Sequence, residues 1–427
     1  MITLDLSNLA KIKPPHGLSE RKLNSKAALI KKYLKKIRGR RQGFYKIIDD
    51  PATVKKINSF VKAREGKYSD IVVLGIGGSA LGTICLHQSL KHLFENELHE
   101  KTGFPRLHVL DNIDPSLMSD FEDLIESKST LFVVVTKSGT TPETLAQYFY
   151  YWHKIYQKKL LPKDHFVFIT DPKKGFLRQI ARKEKIPCFD IPENVGGRFS
   201  VLTAVGLLPA KFIGIDIDKL LEGARLMRNS FLNENFQKNL PYRLAVVQFL
   251  LAQKKKNINV LMPYSQKLIR FADWYRQLLA ESTGKKGLGL TPVSALGVTD
   301  QHSQSQLYNE GPNDKLIIFL RVENPGPKLL IPGMISNKET DFLQNILFND
   351  LLQTEMQATL QSLTKNNRPN IVINVPRIDE FYLGQLFMLF EGATAFLGEL
   401  FNINAYDQPG VELSKKITRE LLQKNIK

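Results

Sequence analysis

Cysteine is nearly missing from this sequence: its 427 residues include Cys85 and Cys188 and no others. Two thiols so far apart exclude a disulfide framework and a cysteine-based zinc site, and they point to a reducing compartment. The eight histidines are scattered and no His-Glu-x-x-His occurs, so no metal centre is expected. The amino-terminus lacks the long apolar core of a signal peptide, and Asp5 falls where a transit peptide avoids acids. No apolar run approaches bilayer length, so no membrane partner is expected and the chain reads as cytoplasmic. Short repeats and low-complexity linkers are missing too.

Acid is the other shortage. Against 60 Lys and Arg stand 42 Asp and Glu, a formal net charge of +18. Twelve basic residues and a single acid, Glu20, lie between Lys11 and Arg41. Within that stretch Ile30, Tyr33, Leu34 and Ile37 recur at helical spacing, which predicts a helix with an apolar inner stripe and a basic outer face. A solvated face is preferred over a nucleic-acid contact, because no nucleic-acid motif with interleaved aromatics accompanies the charge. The remaining composition, 43% hydrophobic and 24% charged, is that of a globular protein with a large core and two or three domains.

Apolar runs alternate with helical patterns along the chain, which predicts an α/β fold with largely parallel sheets. Strands are expected at Ile71 to Ile76, Leu107 to Leu110, Leu131 to Val135, Phe166 to Thr170 and Pro187 to Ile191, with helices opening near Ser79, Pro115, Thr141 and Lys174. A second series follows Arg198. It has helices at Val201 to Phe212, Tyr242 to Ala252 and Gln266 to Ala280, and strands at Asn259 to Met262, Leu316 to Leu320 and Asn370 to Val375. The apolar helix Phe381 to Leu400 and a basic amphipathic tail from Val411 to Lys427 close the chain. Two doubly wound units in tandem account for this order better than one very large sheet.

Two strand-to-helix turns carry the chemistry. Gly75-Ile76-Gly77-Gly78-Ser79 and Thr136-Lys137-Ser138-Gly139-Thr140-Thr141 each follow a β-branched run and open a helix. Such turns aim backbone N–H groups and the positive helix end at one point, where phosphate is the natural guest. Gly75-x-Gly77-x-x-Ala80 also fits a dinucleotide fingerprint. That reading needs an acidic residue about 20 positions later, and the next strand ends far beyond that, at Asp111. The second turn places four hydroxyls around Lys137, more than an N-cap requires.

Gly75 to Gly82, Thr136 to Thr144, Asn194 to Pro209 with its Gly-Gly-Arg-Phe-Ser core, and Tyr406 to Lys415 with Asp-Gln-Pro-Gly-Val-Glu-x-x-Lys resemble the glucose-6-phosphate isomerase family, bacterial type. Glu281-Ser282-Thr283-Gly284-Lys285 and Thr299-Asp300-Gln301-His302-Ser303 fit the same pattern, so the resemblance runs from about Gly66 to Lys415. It implies two sugar isomerase (SIS) domains of the doubly wound type with flanking helices. The divisions are a basic helical segment 1–48, a first SIS domain 49–193, a second 194–400, and a carboxy-terminal loop and helix 401–427. The implied reaction is the reversible interconversion of glucose 6-phosphate and fructose 6-phosphate, an aldose–ketose isomerisation of glycolysis and gluconeogenesis. It passes through ring opening and a cis-enediol, with no redox cofactor or metal.

By the same resemblance, Gly78, Ser79, Thr136, Ser138 and Thr141, with the backbone around Lys137, hold the phosphate. Glu281, in the helical pattern that contains Gln277, carries the proton between C2 and C1, and Arg198 stabilises the enediolate. His302 and Lys415 open the ring, while Glu143, Gln277 and Gln408 support by hydrogen bonding. The resemblance also implies a homodimer in which His302 reaches the site of the neighbouring subunit. Three features depart from the pattern: the chain is shorter than many members, the basic stretch before Arg41 has no counterpart in it, and so basic a composition is unusual for the group.

Overall fold

A computed structural model describes residues 1–424. Its frame is two five-stranded sheets. The first contains β2 (Asp70–Leu74), β3 (Arg106–Leu110), β4 (Thr130–Val135), β5 (Phe166–Thr170) and β6 (Cys188–Asp190) in the order β3-β2-β4-β5-β6, all parallel. The second runs β1 (Thr3–Asp5), β10 (Asn370–Val375), β9 (Lys315–Val322), β7 (Ile258–Pro263), β8 (Thr291–Ser294), parallel except that β1 lies antiparallel on β10.

Strands covered on both faces read as unbroken apolar runs, and β2, β4 and β5 are buried at every residue. Alternation divides their side chains between two layers. Val72, Leu74, Phe132, Val134, Phe166 and Phe168 pack with Tyr148, Tyr151 and Ile155 of the helix Pro142–Gln157. Ile71, Val73, Leu131, Val133, Val167 and Ile169 face the other way, into the main core.

That main core is organised around the helix Glu380–Leu400, which packs against Ile217–Phe231, Leu240–Ala252, Ile269–Thr283 and Ile30–Gly39. It approaches Ile217–Phe231 closely at Gly384, where a Cβ would stand 1.9 Å from the Leu220 carbonyl oxygen, so only glycine lets the two backbones meet there. This helix corrects the expectation that no apolar run approaches bilayer length. At 21 residues it is long and apolar enough to cross a membrane, yet 89% of its apolar window is buried inside the protein. It is a core helix, apolar all round because neighbours surround it.

The basic stretch forms the helix Ile30–Gly39 with Ile30, Leu34 and Ile37 buried, Tyr33 half-buried, and Lys31, Lys32, Lys35, Lys36 and Arg38 exposed. Arg40 and Lys36 pair with the buried Glu399 of the core helix. Element edges shift by a few residues from the sequence reading. β2 ends at Leu74, so that Ile76 belongs to the loop, and the helix after it starts at Leu81. The short edge strands β1 and β8 and the helices Ile217–Phe231, Thr299–Glu310 and Phe348–Lys365 are additions to that reading.

Candidate active site

The order of the first sheet reverses between β2 and β4. Chain connections leave these two neighbours in opposite directions, which opens a crevice at their carboxyl ends. The two hydroxyl- and glycine-rich turns fall there. After β2 the chain makes a single 3-10 turn, Gly77–Ser79, and after β4 it runs through Thr136–Thr141 into the helix Pro142–Gln157. Gly78 has to be glycine: a Cβ there would lie 2.3 Å from the Gly197 carbonyl carbon, so the first loop and the Arg198 loop touch backbone to backbone.

In the second turn Thr136 Oγ1 lies 2.6 Å from Thr141 Oγ1 and 3.3 Å from Ser138 Oγ, while the Thr140 N–H donates to Ser138 Oγ at 3.2 Å. Thr141 precedes the helix without its side chain capping it. The three hydroxyls therefore satisfy one another and remain free to turn toward an anion. Lys137 does not. Its ammonium donates to the carbonyls of Glu193 and Val195, each at 2.8 Å, and burial pulls its pKa down. The side chain ties the turn to the segment leading into Arg198, and Lys137 lines the cleft.

Across the cleft lies Arg198, its side chain 1% exposed. Nε donates to Ser282 Oγ at 2.8 Å; Nη1 donates to Gln408 Oε1 at 2.7 Å and Glu281 Oε2 at 3.3 Å; Nη2 donates to the carbonyls of Ala405 and, at 3.0 Å, Asp407. All five N–H donors of the guanidinium are engaged. Burial lowers its pKa and the facing Glu281 opposes that shift. Glu281 sits in the last turn of the helix Ile269–Thr283, and Gln277, one turn earlier, donates to its Oε1 at 2.9 Å. The carboxylate is thus oriented by Gln277 and Arg198 while 32% of its side chain stays exposed to the cleft.

The cleft measures about 870 Å³. It gathers Gly78, Ser79, Thr136, Lys137, Ser138, Thr141, Arg198, Gln277, Glu281, Gln408 and Lys415, which the sequence spreads over more than three hundred positions. Lys415 stands in the first turn of the exposed helix Glu412–Lys424, bonded to Glu412 at 2.9 Å. Two expected residues lie outside this lining. Glu143 is half-buried in the first turn of Pro142–Gln157, and His302 is exposed on Thr299–Glu310. The cleft adds Asp171, Lys174 and Glu193, which sequence reasoning missed. Asp171 had a legible signal: it follows β5 directly, where β2 and β4 give way to their loops, and its carboxylate accepts the N–H groups of Lys173 and Lys174. A second cavity of about 470 Å³, near Tyr68 and Phe104, opens at the amino ends of β2 and β3, away from these groups. Ligand crevices in such sheets form at carboxyl ends, so the chemistry belongs to the first cleft.

The fold class has solved representatives. A crystal structure of a glucose-6-phosphate isomerase from Chlamydia trachomatis D/UW-3/Cx superposes with a TM-score of 0.79 over 96% of this chain and 87% of that one, at 21% identity. The architecture is therefore an α/β protein of that fold class. Within that class the chain belongs to the phosphoglucose isomerase family, whose pattern matches residues 53–308 and 341–427. The glucose-6-phosphate isomerase of Carboxydothermus hydrogenoformans is 46% identical over 368 residues, 83% of this chain and 79% of its own. That of Rubrobacter xylanophilus is 38% identical over 430 residues, 98% of this chain and 97% of its own. The last coverage corrects one departure noted above: the stretch before Arg41 lies within the matched span.

Proposed function

We propose that this chain interconverts glucose 6-phosphate and fructose 6-phosphate, as an aldose–ketose isomerase. The observation that carries the reading is the pair Glu281–Arg198, a carboxylate and a guanidinium 3.3 Å apart, facing the hydroxyl turns across one cleft. Ser79, Thr136, Ser138 and Thr141, with the N–H groups of the two turns, bind the phosphate. A remote dianion held by fixed donors positions the reacting carbons without taking part in the chemistry. Glu281 removes the proton from C2 of the opened sugar and returns it to C1 on the same face. As charge develops on the enediolate oxygens, the Nη1 edge of Arg198 stabilises it, because the partners of Nη1 are the cleft side chains Glu281 and Gln408.

Ring opening needs a group that moves a proton between hydroxyl and ring oxygen. Lys415 lines the cleft and serves there. His302 serves with it from a second copy of the chain, in a homodimer. Its exposure on Thr299–Glu310, outside its own cleft, supports this. So does the exposed apolar surface of Met334, Ile335, Phe342 and Phe348, which a second copy would cover. A cytoplasmic location accompanies this reading.

The test is a metal-free assay of fructose 6-phosphate conversion beside folded Glu281→Gln. Conversion by the parent with a loss of about 10²- to 10⁴-fold in the variant is expected for a missing general base. A folded dimeric parent that converts nothing would overturn the reading.

A further inference from the structure

Lys285 lies outside the cleft lining, yet its surroundings are those of a built contact. Its side chain is 10% exposed. The ammonium donates to the carbonyls of Glu281 at 2.9 Å and Ser282 at 3.1 Å, and pairs with Asp407 Oδ1 at 3.4 Å. Three acceptors meet three N–H donors. The two carbonyls belong to the last turn of Ile269–Thr283, whose intrahelical partners have run out. A cation at that end is favoured by the helix dipole as well.

The turn that follows fixes where the lysine points. Lys285 and Leu288 exchange backbone hydrogen bonds at 3.0 and 2.9 Å, and the two residues between them, Lys286 and Gly287, have φ of 55° and 70°. Positive φ at both central positions is the hairpin turn that matches strand twist, a tight and well-defined geometry. Lys285 is therefore aimed back at the helix it has just left.

Asp407 is gripped at both ends. Its main-chain carbonyl accepts from Arg198 Nη2 at 3.0 Å, and its carboxylate takes Lys285 on Oδ1 and the Asn404 amide on Oδ2 at 2.8 Å. The next residue is Gln408, an Arg198 partner, and the helix carrying Lys415 starts four residues beyond that. One ammonium thus joins the backbone of the residue that bears the carboxylate base to the loop that bears Gln408 and leads to Lys415. A lysine that only capped the helix would have no use for Asp407.

We propose that Lys285, through Asp407, is a positioning residue: the strap sets the separation between the Glu281 helix end and the 404–411 loop, and so the geometry of proton transfer. The inference rests on the isomerase reading above. The phosphate turns are far from the strap in the chain and share none of its hydrogen bonds, so substrate affinity is expected to survive its loss. Misplacement of a catalytic group by about 1 Å costs up to roughly 100-fold in rate.

The experiment compares parent, Lys285→Met, Lys285→Arg and Asp407→Asn with fructose 6-phosphate as substrate. Lys285→Met and Asp407→Asn are expected to lose about tenfold to a hundredfold in kcat with KM within about threefold, and Lys285→Arg to recover much of the loss. The double variant Lys285→Met/Asp407→Asn should fall no further than Lys285→Met alone, since both remove one contact. Unchanged kcat in Lys285→Met, or a defect in Lys285→Met that Asp407→Asn does not share, overturns the proposal and leaves a simple helix cap. Amide hydrogen exchange of the free protein reads the strap without any reaction: residues 404–411 should exchange faster in Lys285→Met, and unchanged exchange there refutes it. A parent without activity would count against the isomerase reading, while the exchange result would still decide the strap.

Discussion

Arg198→Lys keeps the charge and removes the shape. The guanidinium spans Ser282 on one side and the segment Ala405 to Gln408 on the other, with all five N–H donors engaged. An ammonium has three donors radiating from one point, so at least two of those contacts are lost. Hydrogen bonds to charged groups contribute roughly 1.5–3 kcal/mol each. Asp407 and Gln408 lie on a largely exposed loop and regain water when released, which holds the expected loss of stability to the lower end, about 3 kcal/mol. The effect on rate is separate. Removing a preorganised donor from a developing oxyanion costs about 10²- to 10³-fold in kcat, and the turns proposed to bind phosphate are untouched. Urea unfolding and steady-state kinetics with fructose 6-phosphate measure the two effects in the same preparations. A variant retaining more than half of kcat, or one whose KM rises as much as its kcat falls, would refute the assignment of Nη1 to the transition state.

Glu391, on the core helix, is fully buried, and neither carboxyl oxygen has a hydrogen-bond partner among the described residues; burial pushes its pKa well above the carboxylate range. The folded protein therefore holds a proton that the unfolded chain releases, and stability falls as pH rises above the unfolded value, by about 1.4 kcal/mol per unit until the folded group ionises. Glu391→Gln removes that slope, so urea midpoints of variant and parent should diverge steadily from pH 5 to pH 7; parallel curves would show that the carboxyl is ionised in the fold. Thr141→Val removes one hydroxyl of the phosphate turn and should raise KM about tenfold to a hundredfold; an unchanged KM would remove Thr141 from the cradle. Glu281→Gln and His302→Ala, each inactive alone, should regain activity when dissociated and reassociated together, because mixed dimers hold one intact site; no recovery despite mixed dimers would put both residues in the same subunit's site.

The sequence made the first sheet legible because its strands are buried on both faces and read as apolar runs without interruption, as Thr130–Val135 does. It missed β1 and β8 because three- and four-residue edge strands carry no such run, and β8 includes Pro292. Glycine and hydroxyl content singled out the turns after β2 and β4, and the fold brings both to one cleft. Glu281 was not legible from its own surroundings, since a glutamate near a helix end is ordinary; only the resemblance singled it out, and only the fold brings Arg198 and Gln277 onto its two oxygens. Lys137, expected to act through its backbone, has its ammonium spent on the Glu193 and Val195 carbonyls, a pairing that local sequence does not show. Pairings between residues more than fifty positions apart leave no local trace in composition or periodicity.

In the proposed reaction Glu281 carries one proton between adjacent carbons. The most direct measurement follows glucose 6-phosphate deuterated at C2 through conversion in ordinary water, reading the label at C1 of fructose 6-phosphate by NMR. A single carboxylate predicts that part of the deuterium arrives at C1 and the rest exchanges with solvent, with both outcomes suppressed in Glu281→Gln. Complete retention of deuterium at C1 with no solvent hydrogen incorporated, at a rate that Glu281→Gln leaves unchanged, would rule out Glu281 as the carrier.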